Sequence, residues 1–98
     1  MIPQSQFGWG IRYARGMEIT HGKSQYILTV DGVQAGHLDY VESGNTRDFN
    51  HTVVFPEFQG KGLSKPLIAH ALEDSRSAGF EVIPTCPAVA KYLEKNPQ

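Results

Sequence analysis

A chain of 98 residues, 40% hydrophobic and 19% charged, suits one globular domain and excludes an intrinsically disordered one. Its formal net charge of −1 lacks the basic excess of a general nucleic-acid binder. One cysteine makes no internal disulfide, and no apolar run nears the ~20 residues of a membrane span, so a reducing, cytoplasmic setting is expected.

The first sixteen residues hold three glycines and a proline and keep no period. They read as an N-terminal arm or extension, poorly ordered, ahead of a domain over 17–98. From Gln25 the pattern sharpens. "QYILTV" and "VQAGHLDYV" alternate on either side of Asp31–Gly32, the pair that favours a two-residue hairpin turn. Tyr26, Leu28 and Val30 share one face of the first strand, and Ile27 and Thr29 the other. The polar run "ESGNT" predicts the next turn, and "RDFNHTVVF" a third strand that ends at Pro56, which has no N–H for a ladder.

Beyond it the period changes from two to 3.6. Leu67, Ile68, Ala71 and Leu72 form one apolar stripe, with Glu73, Arg76 and Ser77 turned away. Ser64 is expected to cap this helix, Pro66 to sit in its first turn and Gly79 to follow its end. A short strand, "FEVI", and a last helix from Pro87 to Lys95 complete the order β-β-β-α-β-α. The fold class is therefore α/β: a mixed, twisted sheet with two helices.

Between the third strand and the long helix lies "QGKGLSK". Glycines there leave the backbone bare at a helix N-terminus, where free N–H groups and the helix dipole favour an anion. The spacing is too short for a Walker loop, and Lys65 stands where a dinucleotide fingerprint needs its third glycine. A plain connector that lets a strand meet a helix is the alternative.

Gln59, Gly62 and Ser64 resemble the R/Q-x-x-G-x-G/A pyrophosphate cradle of the GNAT acetyltransferases, with Ser64 in place of Gly or Ala. The wider series resembles the small, single-domain members of that superfamily: an HTxV strand at His51, the GKG turn, a helix, and a V-x-P-x-C-P-x-V tail from Val82 to Val89. This similarity covers residues 25–97 and implies the acyl-CoA N-acyltransferase fold. It also implies acetyl-CoA (or CoA) as ligand and transfer of an acetyl group to an amine. The helical segment and the final hairpin of larger GNAT enzymes have no counterpart here. A binding module that holds acetyl-CoA with little turnover is the second reading.

On this resemblance the coenzyme's phosphates fall to Gln59, Gly60, Lys61, Gly62, Leu63, Ser64 and Lys65, and its pantetheine arm to the strand end at Val53, Val54 and Phe55. An acceptor amine near pKa 10.4 must lose a proton before it attacks, so a base is needed. His51 is the base candidate, with His37 and Glu57 as others. Tyr92 is placed to protonate a departing thiolate, or else packs in the core. Cys86 precedes the last helix, where the dipole lowers a thiol's pKa, and either accepts an acetyl group or is a small buried hydrophobe. His21, His37, His51 and His70 show no metal-ligand spacing, and no metal is expected. The chain is expected to be a monomer or weak dimer.

Overall fold

The computed structural model describes residues 10–14 and 16–96, with side chains from residue 16 onward. Six strands form one sheet in chain order: β1 (Gly10–Ala14), β2 (Met17–Gly22), β3 (Gln25–Val30), β4 (Val33–Ser43), β5 (Thr46–Val54) and β6 (Glu81–Ile83). Neighbours from β1 to β5 run antiparallel, and β6 lies parallel to β5 after the crossover through α1 (Ser64–Ser77). Helix α2 (Pro87–Lys95) closes the chain. The expected α/β architecture of mixed sheet and two helices is present, with two strands more than expected.

Both additional strands precede the first predicted one. Met17–Gly22 offers only two alternating apolar residues, Met17 and Ile19, too few to stand out from sequence. Its six residues pair in register with β3, and those two side chains are buried. Of the stretch expected to be an arm, Gly10–Ala14 pairs with β2, and the Gly16 carbonyl accepts the N–H of Asp31 at 2.6 Å. The rest of that stretch lies outside the described residues.

The hairpin between β3 and β4 turns at Asp31 and Gly32 with φ of 51° and 83°, as its sequence predicts. Tyr26 and Leu28 of β3, Leu38 and Tyr40 of β4 and Phe49 of β5 alternate onto one face. Leu67, Ile68, Ala71 and Leu72 of α1 pack there, together with Val89 of α2. Glu73, Arg76 and Ser77 are exposed, as the helical period requires. Both helices thus bury into one side of the sheet. Ile27, His37, Asp39, Val41, Asp48 and Val53 lie on its other side, where no helix sits among the described residues.

A polar cluster is embedded under α1. Arg47 is 7% exposed; it donates to Tyr26 Oη and Ser75 Oγ at 3.0 Å each and to Glu42 at 3.1 Å. Its guanidinium lies over the rings of Phe80 and Tyr40. Tyr26 Oη in turn donates to Asp74 at 2.6 Å, and burial with that bond pushes its phenol far up. His21 stacks on Tyr26 with ring centroids 4.1 Å apart, and its Nε2 lies 2.6 Å from Tyr40 Oη.

Burial lowers the pKa of His21 from 6.5, overriding the pull of Asp74 in the opposite direction, and burial lowers that of His70 too. Histidines that resist protonation when folded bind more protons when unfolded. Stability is therefore complete above the unfolded pKa and falls as pH drops through 6.5 toward the folded value. Denaturant titrations between pH 7.5 and 5.5 (roughly one unit either side of an unperturbed histidine) should show this loss, and His21→Gln should flatten it. An unchanged slope in the variant would remove His21 from the linkage.

Among the described residues no helix is long and apolar enough to cross a membrane, and no three His, Cys, Asp or Glu side chains converge as metal ligands.

Candidate functional site

The β5 strand runs to Val54, turns through a single 3-10 turn at Pro56–Phe58, and reaches α1 by way of Gln59–Leu63. Gly60 and Gly62 carry φ of 81° and 69°, a region that side chains disfavour, and a Cβ on either would meet nothing within 4 Å. These glycines serve the backbone's hand, not a packing constraint.

Ser64 is the first residue of the helix and not its cap. Leu63 takes the cap position in right-handed helical geometry and makes no side-chain cap bond. The first turn therefore keeps its donors. Among the described residues, the N–H groups of Gly60, Gly62, Leu63 and Ser64 meet no hydrogen-bond acceptor, whereas Lys61 N–H closes the turn at Gln59–Gly60 and Lys65 N–H bonds Gly62 O at 3.4 Å. A left-handed glycine followed by a right-handed residue, as at Gly62–Leu63, aims successive N–H groups toward a common side and makes an anion-binding concavity. Gly60, Lys61 and Gly62 are exposed.

Gln59 behaves differently from the glycines. Its side-chain amide donates to Val54 O at 2.9 Å and its N–H to Pro56 O at 3.3 Å. Those donors are spent in bracing the turn.

Beside the turn is an apolar cavity of about 180 Å³ between the start of α1 and α2. Ser64, Lys65 and Ile68 form one wall, and Ala88, Lys91, Tyr92 and Lys95 the other. Lys91 and Lys95 are cations that sequence reasoning does not place here. Their i, i+4 spacing on α2 puts them on one side of that helix, but only its docking against α1 brings them to the turn. Tyr92 is half-buried against the core and also lines a larger, polar groove of about 510 Å³ with Ala69, Glu73, Arg76 and Ser77.

The strand end expected to meet an extended ligand is open on one edge. β5 and β6 share three pairs, Thr46↔Glu81, Arg47↔Val82 and Asp48↔Ile83, and then part. Cys86 N–H donates to Phe49 O at 2.8 Å, and past that point β5 continues through Val53 and Val54, paired to β4 on one edge and with no strand on the other among the described residues. Phe55 N–H is tied to Ala35 O on the other edge.

Cys86 sits where the strands separate, 6% exposed, at the N-cap of α2. Its Sγ lies 3.1 Å from Thr52 Oγ1. Burial alone would raise its pKa. The Thr52 hydroxyl and the N–H groups of Val89, Ala88 and Thr52 outweigh burial and bring the thiol below its ordinary value. Cys86 belongs to the core cluster and lines neither cavity, so it is a buried residue and a polarised thiol at once.

His51 is exposed and paired in register with Asp39 on the helix-free side of the sheet; its ring is 6.3 Å from that of His37. His37 Nδ1 lies 2.8 Å from Asp39 Oδ1, which also accepts from Gln25 Nε2 at 2.8 Å. The structure thus gathers the turn, Lys65 and Tyr92 at one cavity, sets Cys86 in the split between β5 and β6, and leaves His51 on the far face.

The profile of a family described as GCN5-related N-acetyl-transferase matches residues 25–98. A solution NMR structure of a GCN5-like candidate N-acetyltransferase from Staphylococcus aureus superimposes with a TM-score of 0.64. It is 24% identical, and the match covers 84% of this chain and 82% of that one, a likeness of fold. No functionally curated protein matches the chain.

Proposed function

We propose that this chain, which belongs to the GCN5-related N-acetyltransferase family, takes acetyl-coenzyme A as its acyl donor and acetylates a primary amine. One observation carries the donor reading: four N–H groups, those of Gly60, Gly62, Leu63 and Ser64, stand without acceptors at a bend that opens a fourteen-residue helix. A diphosphate supplies the oxygens that such a bend lacks.

The residues present fit the coenzyme. The Gly60–Ser64 amides and the dipole of α1 hold phosphate, with Lys61 and Lys65 adding charge. A helix terminus is worth only ~0.3–2 kcal/mol to an anion, against about −8 kcal/mol for micromolar binding. The remainder is assigned to two further parts. The apolar cavity at Ile68, Ala88 and Tyr92 gives contact area, rimmed by Lys91 and Lys95. The open edge of β5 at Val53–Val54, where the Val54 carbonyl already accepts from Gln59, is assigned the extended amide-bearing arm, and Phe55 flanks it.

When bound, acetyl-coenzyme A provides an acetyl group already activated as a thioester. Cys86 lies at the strand split with its thiolate favoured by Thr52 and the α2 amides, so it is assigned the role of a transient acetyl acceptor. Tyr92 and His51 are assigned proton transfer on opposite sides of the sheet, Tyr92 to the departing sulfur and His51 from the incoming amine.

Thermal melting with acetyl-CoA, CoA and ATP tests the reading first. Ligand at 100 times its Kd stabilises by about 2.7 kcal/mol. Both coenzyme forms should raise Tm well beyond ATP, and no shift with either one overturns the proposal. Intact mass after incubation should show an acetyl group on wild-type protein and none on Cys86→Ala. Binding without acetylated product from any amine would leave a coenzyme-A-binding module.

A further inference from the structure

Positive charge is unevenly spread over this chain. Of nine lysines and arginines in a protein of net charge −1, Lys61 and Lys65 flank the bend in sequence, and Lys91 and Lys95 face it across the smaller cavity. Among the described residues, none of these four lysines has an ion pair; the pairs there involve His21, His37 and Arg47. The residues lining the smaller cavity include three lysines, Lys65, Lys91 and Lys95, and no carboxylate. The larger groove past Tyr92 sets Glu73 beside Arg76, so the excess of cations is confined to the smaller one.

Folding alone gives that arrangement little reason. Lys91 and Lys95 are exposed and one helical turn apart, and a like-charged i, i+4 pair weakens a helix. The dipole of α2 favours Lys95, which lies in its last turn. It does not account for Lys91, or for Lys65 on the facing wall at the positive end of α1. Three ammonium groups around one opening call for an anion beyond the one that the bend accommodates.

Coenzyme A carries two anionic groups. One is the diphosphate assigned to the bend. The other is a phosphomonoester on the 3′-oxygen of its ribose, with a charge near −2 at neutral pH. A single sugar ring separates them, so the second group has to lie close beside the first. We infer that Lys91 and Lys95 bind this 3′-phosphate and make the chain select coenzyme A over its dephospho form. The specificity rests on the coenzyme reading of the bend, but it is set by α2, an element that contributes nothing to the bend itself. Exposed ion pairs are individually weak, so two of them on one dianion should give a preference of about tenfold.

Calorimetric titration of the whole chain with coenzyme A and with dephospho-coenzyme A tests this without any turnover. Wild type should bind coenzyme A about tenfold more tightly in low salt. The gap should narrow in roughly 1 M salt, where charges are screened beyond about 3 Å. In Lys91→Gln/Lys95→Gln, with both changes at exposed positions and to a good helix former, the two ligands should bind alike. Lys61→Gln, beside the diphosphate, should weaken both ligands by the same factor and keep the preference. Equal binding of the two forms by wild type overturns the inference, as does a preference that persists in the double variant or is indifferent to salt. The wild-type and salt results do not depend on any variant folding. Binding of neither form defeats the coenzyme reading itself, whereas equal binding of both defeats only the role of Lys91 and Lys95.

Discussion

Gly62→Asp should weaken acetyl-CoA binding by about a hundredfold, close to 3 kcal/mol on the affinity scale. The substitution places a carboxylate among amides that now face only water. A like charge ~4 Å from a phosphate costs about 4 kcal/mol at the effective dielectric of a protein surface. Backbone strain adds a separate effect, because Gly62 has φ of 69°. Gly44 isolates that effect: it sits at the β4–β5 turn with φ of 59°, and a Cβ there would meet nothing within 4 Å. Gly44→Asp therefore carries comparable strain at a remote place and should leave affinity unchanged. Calorimetry on both variants decides the matter. Equal losses would mean that fold strain, and not the cradle, controls binding.

The second large effect concerns stability. Arg47→Ala removes a buried guanidinium that joins β5 to Tyr26, to Ser75 of α1 and to Glu42, and that lies over Phe80 and Tyr40. Hydrogen bonds from a charged donor and the packing of its stem are lost together, a cost of roughly 3 kcal/mol. For a domain of this size that is a Tm lower by roughly 12–24 °C. Arg47→Lys should recover only part of it, since an ammonium cannot serve Tyr26, Ser75 and Glu42 with one planar fork. A loss below about 1 kcal/mol, the level of an exposed ion pair, would show that the cluster under α1 contributes no more than a surface bridge.

These two predictions differ in how far sequence anticipates them. The glycine turn and the apolar stripe of α1 are local patterns, so periodicity and residue type suffice to find them. Asp31–Gly32 is equally local, and both residues adopt positive φ. Arg47 is another matter. It falls in a strand whose alternation places it on the buried face, yet a charged residue there conflicts with the pattern until its partners are known. Those partners lie 21 and 28 residues away, at Tyr26 and Ser75. The same limit applies to Lys91 and Lys95, whose approach to the turn depends on how α2 docks. Met17–Gly22 has too few alternating apolar residues to announce itself, and its ladder with β3 is what makes it a strand.

The site shows one departure with a physical lesson. Ser64 looks like a helix cap, because serine is favoured there. In the fold it is already helical, and the cap position falls to Leu63, which has no side-chain acceptor to offer. A capping serine would satisfy the very donors that an anion needs. Gln59 makes a complementary point, since its amide holds Val54 O and so fixes the end of β5 against the turn. His37 and Asp39, two apart on one strand, are open to detection by period-two alternation, and their 2.8 Å contact follows from it.

A crystal structure of the chain with coenzyme A bound tests the central claim most directly. The account places diphosphate oxygens within hydrogen-bonding distance of the amides between Gly60 and Ser64, with the helix axis of α1 pointing at them. A coenzyme bound elsewhere, with the amides of Gly60, Gly62, Leu63 and Ser64 still facing solvent, would contradict it.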